Sequence, residues 1–257
     1  MGRLSLPDVT LCAATSVNLA ATLAALRRCL DQCEFGRALL FTDLTVTEAP
    51  DGLRVVQIPP LTSLQAYSHF VMSDLAAHID TSHCLIVQWD GYILRPEAWD
   101  PTFLNFDYIG AVWPQFDDGA IIGNGGFSLR SKRLLEASAA ISPANEQPED
   151  VTICRTHRSQ LEEEFGIRFA DPLTAARFSF ERTPSTGAEF GYHGVFNMPA
   201  NLTGDEWWQV YLGLDDSGSV FHDLWKMIAA TWNGSRSFER IVKLAWDATL
   251  ARLGVNR

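Results

Sequence analysis

Short apolar runs alternate with helix-spaced apolar positions over the first half of the chain, an order that predicts strands separated by helices. Asp8 to Ala14 reads as a buried strand. Asn18 caps a helix through Leu30, with Leu19, Leu23, Leu26 and Leu30 along one face. Arg37 to Phe41 and Arg54 to Ile58 are the next strands, the second stopped by Pro59-Pro60. Ser63 caps a second helix through Ile79, and His83 to Gln88 is a fourth strand ending in Trp89-Asp90-Gly91. Helices of this length between strands imply right-handed βαβ units and a largely parallel sheet. Ligands of such sheets sit at the carboxyl ends of the strands. Those ends here carry Thr15-Ser16, Asp43 and Gln88-Trp89-Asp90-Gly91.

The second half is less regular. Tyr108 to Trp113 reads as a strand, and Gly123 to Arg130 as a glycine-rich turn entering a strand. Ser131 starts a helix through Ala139, Ser142 to Pro148 is a polar loop, and Pro148-Glu149-Asp150 opens a further helix. Phe178 to Glu181 is a short strand, Phe190 to Gly194 a loop, and Asp215 to Ser219 a turn. Helical patterns follow to the end, with Phe238, Val242, Trp246 and Leu250 at four-residue spacing. Residues 1–200 form the α/β domain by this reading, and 201–257 a helical extension packed on its core.

Composition narrows the function. The 31 acidic and 20 basic side chains give a formal charge of -11, which repels phosphate backbones and argues against nucleic-acid binding. Five cysteines, an odd number without a C-x-x-C pair, argue for reduced thiols in a cytoplasm rather than a zinc ribbon or a disulfide framework. The apolar stretch from Val9 to Leu30 is interrupted by Thr15, Ser16 and Asn18, so it reads as strand, turn and helix rather than a signal peptide. No run of apolar residues is long enough to predict a membrane span.

Four polar motifs carry candidate chemistry, and each has a plainer reading. Gln88-Trp89-Asp90-Gly91 is a strand-ending turn, or it presents Asp90 in solvent as an oxygen ligand for a hard divalent cation. Gly123-Asn124-Gly125-Gly126 is a hairpin or bulge, or a segment that lets a ligand approach the backbone through positive φ. It is neither a dinucleotide fingerprint nor a P-loop. Glu149 and Asp150 are a charge pair at a helix start, or the source of a general base. His193, between Tyr192 and Gly194, is a loop histidine or a metal ligand. Trp207-Trp208 is a core pair or a stacking platform for a sugar ring. The last helix is net basic through Arg236, Arg240, Lys243, Arg252 and Arg257. That suits packing of an amphipathic helix onto the core, and also peripheral contact with an anionic membrane.

Taken together, the blocks VTLCAATSVN (9–18), LLFTD (39–43), LIVQWDGYILRPEAWD (85–100), FDYIGAVWP (106–114), GNGGFSLRSKRLLEA (123–137), PEDVTIC (148–154), GIRFA (166–170) and FGYHG (190–194) resemble a bacterial domain-of-unknown-function family regarded as glycosyltransferases of the GT-A fold. The resemblance implies a GT-A-like, Rossmann-like central sheet flanked by helices and a nucleotide-diphosphate sugar as donor. It implies Mn²⁺ or Mg²⁺ on a D-x-D motif, here Gln88-Trp89-Asp90. Glutamine replaces the first aspartate, so Asp90 and His193 are the implied metal ligands. Gly125 and Gly126 look like the segment flanking sugar and acceptor. Asp150, then Glu149, look like the catalytic base of an inverting enzyme. Thr15, Ser16, Asp43, Tyr67, Gln88 and Trp89 lie where such folds hold the donor.

The expected function is transfer of a sugar to a glycan or other hydroxyl acceptor, in bacterial surface polysaccharide assembly in the cytoplasm. The alternatives are a nucleotide-sugar or glycan binding module with little turnover, which Gln88 keeps open, and a metal-dependent diphosphate hydrolase.

Overall fold

In the computed structural model, which describes residues 2–141, 147–232 and 236–254, the first strand, β1 (Leu4–Ala14), is buried continuously from Val9 to Ala13. It leads into α1 (Leu19–Gln32), β2 (Cys33–Thr42), β3 (Leu53–Gln57), α2 (Leu64–His69) and β4 (His83–Val87). These four strands lie in the order β3-β2-β1-β4 and pair in parallel, as the alternating pattern predicts. After β5 (Tyr92–Ile93), β6 (Tyr108–Ile109) and β7 (Phe127–Ser131) complete a six-stranded sheet, β3-β2-β1-β4-β7-β6. β7 is antiparallel to both neighbours, so it alone reverses the sheet direction. Then come α3 (Lys132–Ala140), α4 (Glu149–Val151), α5 (Arg158–Phe165), α6 (Pro172–Phe178), β8 (Ser179–Phe180) and β9 (Gly191–Tyr192). β5, β9 and β8 make a second, three-stranded sheet. The fold is thus mixed α/β with a central, mostly parallel sheet flanked by helices.

Side-chain capping explains several boundaries. Ser63 Oγ accepts the Ala66 N–H at 3.1 Å and starts α2. The helix expected through Ile79 then widens to a π-helix at Phe70–Asp74 and tightens to a 3₁₀ turn at Leu75–His78. Phe70, Val71 and Leu75 are thereby buried against Phe41, Ile86 and Leu135. Ser131 Oγ accepts the Leu134 N–H at 3.0 Å and starts α3. Asn18 occupies the N-cap of α1 in a left-handed conformation, φ 53°, without a side-chain cap. Its carbonyl instead takes the Thr22 N–H at 2.9 Å and the Thr22 hydroxyl at 3.1 Å. The strand expected from Tyr108 to Trp113 stops at Ile109, and Val112 makes only an isolated bridge with Ile122. Phe127 of β7 stacks with Phe178 and Phe190, ring centroids 5.3 and 6.1 Å away, which seats the small sheet beside the large one. All five cysteines are buried and free. The polar loop expected at Ser142 to Pro148 lies outside the described residues from 142 to 146, as does Arg257.

The chain divides into two units, Met1–His193 and Gly194–Arg257. The second contains α7 (Met198–Asn201), α8 (Gly204–Leu212), α9 (Gly218–His222), α10 (Leu224–Thr231) and α11 (Ser237–Arg252). Thr203 and Glu206 form a reciprocal capping box at the start of α8. Trp207, Tyr211, Met227 and Leu244 make this unit's core. Tyr211 donates its hydroxyl to Asp247 at 2.6 Å, while Trp208 lies under the Arg240 guanidinium, 5.3 Å from its ring centre. The stripe expected to face a core on α11 does the reverse. Phe238, Val242 and Trp246 are exposed, and Arg240, Leu244, Asp247 and Ala248 are buried. No helix among the described residues is long and apolar enough to cross a membrane.

Candidate active site

The polypeptide leaves β4 in a tight turn, closed by a hydrogen bond from the Gly91 N–H to the Gln88 carbonyl at 3.1 Å. The Gln88 N–H donates to the Gly126 carbonyl at 2.9 Å, tying the end of β4 to the glycine-rich entry to β7. The positive φ in that entry falls on Asn124, at 70°, and not on its glycines. The glycines serve close approach instead. A Cβ on Gly126 would run into the His193 imidazole, and one on Gly125 into the Glu149 carboxylate. Gly126→Ala is therefore expected to displace His193 and cost about 1–3 kcal/mol of stability, read from the urea midpoint. An unchanged midpoint contradicts that packing.

Asp90 does not stand in solvent as the turn suggested. It is 5% exposed, covered by His193, whose Nε2 lies 3.2 Å from Asp90 Oδ1. The same nitrogen lies 3.3 Å from Gln88 Oε1, and Nδ1 faces Glu181 Oε1 at 3.6 Å. Burial works against a charge on His193. The Asp90 carboxylate, with help from Glu181, outweighs it and holds the pKa up at about 10. Gln88 completes the group by donating Nε2–H to the Tyr67 hydroxyl at 3.1 Å.

A second cluster flanks the same glycines. The Gly125 N–H donates to Asp150 Oδ2 at 3.0 Å, and Asp150 Oδ1 accepts the Val151 N–H at 2.8 Å. Burial, then the neighbouring Glu149 charge, push the Asp150 carboxyl up to about 6. Glu149 is engaged elsewhere. Its Oε1 accepts from Arg130 at 2.7 Å, in an ion pair with both side chains buried. Arg130 Nε donates to Ser128 Oγ at 3.0 Å, and its guanidinium lies 5.2 Å from the Tyr108 ring centre.

Tyr67, Gln88, Gly125, Gly126, Glu149, Asp150 and His193 line one open cleft of about 410 Å³, together with Trp113, Phe116, Glu181 and Arg182. Asp90 lies behind His193, and Trp89 does not line the cleft. Thr15, Ser16 and Asp43 do not line it either. Ser16 Oγ accepts the Leu61 N–H at 2.7 Å, Thr15 bonds back to Val17, and Asp43 keeps a buried Oδ1 without a hydrogen bond. Sequence reasoning missed Glu181, Arg182, Arg130 and the Trp113–Phe116 pair. The Glu181-Arg182 step follows β8 and was visible only as the end of an expected strand. An arginine inside the buried strand β7 was the available sign of a buried partner.

The fold and cleft define an α/β domain with a polar site at the carboxyl end of its central strand. The chain belongs to the DUF5672 family, described as a protein of unknown function, whose profile matches residues 52–194, more than half of the chain. The whole cleft from Leu64 to His193 lies inside that span. Two solved structures show partial similarity. One is a glycosyltransferase involved in the glycosylation of the major capsid of PBCV-1, at 12% identity and a TM-score of 0.46, covering 80% of this chain and 100% of that chain. The other is the mannosyltransferase PcManGT from Pyrobaculum calidifontis in complex with GDP-Man and Mn²⁺, at 13% identity and a TM-score of 0.42, covering 97% of this chain and 73% of that chain. No curated protein matches the chain.

Proposed function

We propose that this chain is a glycosyltransferase that moves a sugar from a nucleotide-diphosphate donor to a hydroxyl acceptor, with inversion at the anomeric carbon. The observation that carries the reading is Asp150. It is a carboxylate held near pH 6 in the wall of a cleft whose other polar cluster is Gln88, Glu181 and His193. A base for an acceptor hydroxyl needs a pKa near the working pH and a fixed direction, and the Gly125 and Val151 N–H groups supply the direction. In the step, Asp150 takes the hydroxyl proton as the acceptor oxygen bonds to the anomeric carbon. The bond to the diphosphate breaks, and its electron pair leaves on the diphosphate oxygen. Arg182 at the rim offers positive charge to that leaving group. Trp113 and Phe116 offer aromatic walls for a ring of the donor.

The metal expected at Asp90 and His193 has a chemical fit. The Asp90 carboxylate and Gln88 amide oxygens both converge on His193 Nε2. The negative potential that retains a proton on His193 also favours a cation in the proton's place. Among the described residues no group of three or more acidic, histidine or cysteine side chains is arranged to hold an ion. Asp90, Gln88 and His193 would therefore hold the ion, which when bound would neutralise charge on the departing diphosphate. Because ion and proton compete, Mn²⁺ binding is expected to release a proton and to tighten as pH rises from 6 to 9 in calorimetry, by about tenfold per unit below the imidazole pKa. Asp90→Ala is expected to abolish metal-supported donor binding. A pH-independent Mn²⁺ affinity, or an unchanged donor Kd in Asp90→Ala, removes the metal assignment.

The setting we infer, on the family resemblance, is bacterial surface polysaccharide assembly in the cytoplasm. The test of the whole reading is a thermal-shift panel of nucleotide sugars and free nucleotides, with and without Mn²⁺, since a ligand that binds the folded state raises Tm. Stabilisation by one nucleotide family, followed by transfer to a hydroxyl acceptor, is the expected result. A second reading has Gln88 in its favour, because an amide tied to Tyr67 replaces a charged metal ligand. Donor binding without transfer or donor hydrolysis across an acceptor panel makes the protein a nucleotide-sugar binding module.

A further inference from the structure

The second unit presents Trp225, Trp232, Phe238 and Trp246 to solvent. On α11 the buried side carries Arg240, Leu244, Asp247 and Ala248, with Arg240 bonded to the Gly204 carbonyl at 2.7 Å and Asp247 to Tyr211. The opposite side carries Phe238, 79% exposed, Val242, and Trp246, 62% exposed. Residues four apart stack along one helix face, so these three form a continuous apolar stripe. Trp225, 80% exposed, and Trp232, seven residues apart at the ends of α10, make a second outward stripe opposite the buried Met227 and Thr231. A helix that buries Arg240 and Asp247 while exposing Phe238 and Trp246 is inverted relative to an ordinary surface helix. Such a patch marks an interaction surface.

The charges beside the stripes point to the partner. Lys226 pairs with Asp223, Arg240 with Asp205 and Lys243 with Asp247, and Arg236 and Arg252 stand at the two ends of α11 against Glu239. Tryptophan and phenylalanine beside lysine and arginine are the composition of a helix lying in the headgroup region of an anionic bilayer. A two-fold dimer through the same face would set these arginines against those of its own copy, like charge against like. We propose that α10 and α11 form a docking surface for an anionic lipid membrane. Phe238, Val242, Trp246, Trp225 and Trp232 enter the interface, and basic residues such as Arg236 and Arg252 meet the lipid phosphates. The surface does not depend on the catalytic reading, and neither its success nor its failure bears on that reading.

The test is co-sedimentation of the full chain with vesicles of phosphatidylcholine alone and of phosphatidylcholine mixed with phosphatidylglycerol. Binding is expected only to the anionic vesicles, and to weaken as salt is raised. The exposed double substitution Phe238→Ser/Trp246→Ser is expected to lower the partition coefficient at least about tenfold. Arg236→Glu/Arg252→Glu is expected to do the same at low salt, by about tenfold or more. Circular dichroism and Tm serve as controls for the fold of both variants, and Trp225→Ser alone is the milder third variant. The proposal is overturned if the parent chain ignores anionic vesicles, or if folded variants bind them as the parent does. It is also overturned if sedimentation velocity shows a dimer that Phe238→Ser/Trp246→Ser dissolves while the parent chain binds no vesicle.

Discussion

Asp150→Asn is expected to lower kcat by about 10²–10⁴-fold while donor affinity stays within about threefold of the parent. The substitution removes the proton acceptor and nearly preserves shape. One backbone N–H, from Gly125 or Val151, then faces an amide nitrogen. Asp150→Ala, which removes that conflict, should give the same loss of turnover and controls for it. The parent enzyme should also show the base in its pH profile. Burial and the Glu149 charge raise the Asp150 carboxyl to about 6, so the active carboxylate form is half populated there. Above that pH kcat/KM is expected to be flat on its acid side. Below it, kcat/KM should fall about tenfold per pH unit, as protonation removes the base. Near-parental turnover in both variants takes Asp150 out of the mechanism, and a displacement that retains configuration at the anomeric carbon becomes the better account.

The adjacent carboxylate should behave differently. Glu149→Ala leaves the Arg130 guanidinium buried without its counter-charge, and breaking such a pair typically costs about 3–5 kcal/mol. For a chain of this size that corresponds to a Tm lower by roughly 6–20 °C in a thermal scan. Replacing both partners by apolar side chains of similar volume, as in Arg130→Met/Glu149→Leu, should recover most of the loss, because neither charge then needs solvation. The double variant also loses two opposing influences on Asp150. Without the Glu149 charge one cause that raises the Asp150 pKa is gone, and so is the opposing Arg130 charge. A Glu149→Ala protein that melts with the parent would mean that the ion pair contributes nothing to the floor of the cleft. The two neighbours thus divide the work. Glu149 fixes Arg130 under Gly125, and Asp150 stays available at the cleft wall.

Much of the fold was legible because its causes are local. Strand periodicity placed β1 through β4, and the hydroxyls of Ser63 and Ser131 marked helix starts that the structure keeps. The conversion of the second helix to π and 3₁₀ turns was not legible, because it follows from fitting Phe70, Val71 and Leu75 against Phe41 and Ile86. In the cleft, the motifs at Gln88, Gly125, Asp150 and His193 each had a bland reading, and proximity decides among them. Gln88 and His193 meet although they are 105 residues apart in the chain. Thr15, Ser16 and Asp43 stand at strand ends as expected, yet outside this cleft.

By itself the sequence determined an α/β chain of alternating strands and helices, the acidic character of the whole, and the residue types at each strand end. Those are properties of near neighbours and of composition. Only the tertiary structure decided that Asp90 is buried behind His193, that Glu149 is bound to Arg130 while Asp150 is not, and that the apolar stripe of α11 faces outward. Each is a question of which of two groups meets a third from a distant segment. Periodicity names a helix face without saying what lies against it, and a carboxylate's role follows from the charges and burial around it.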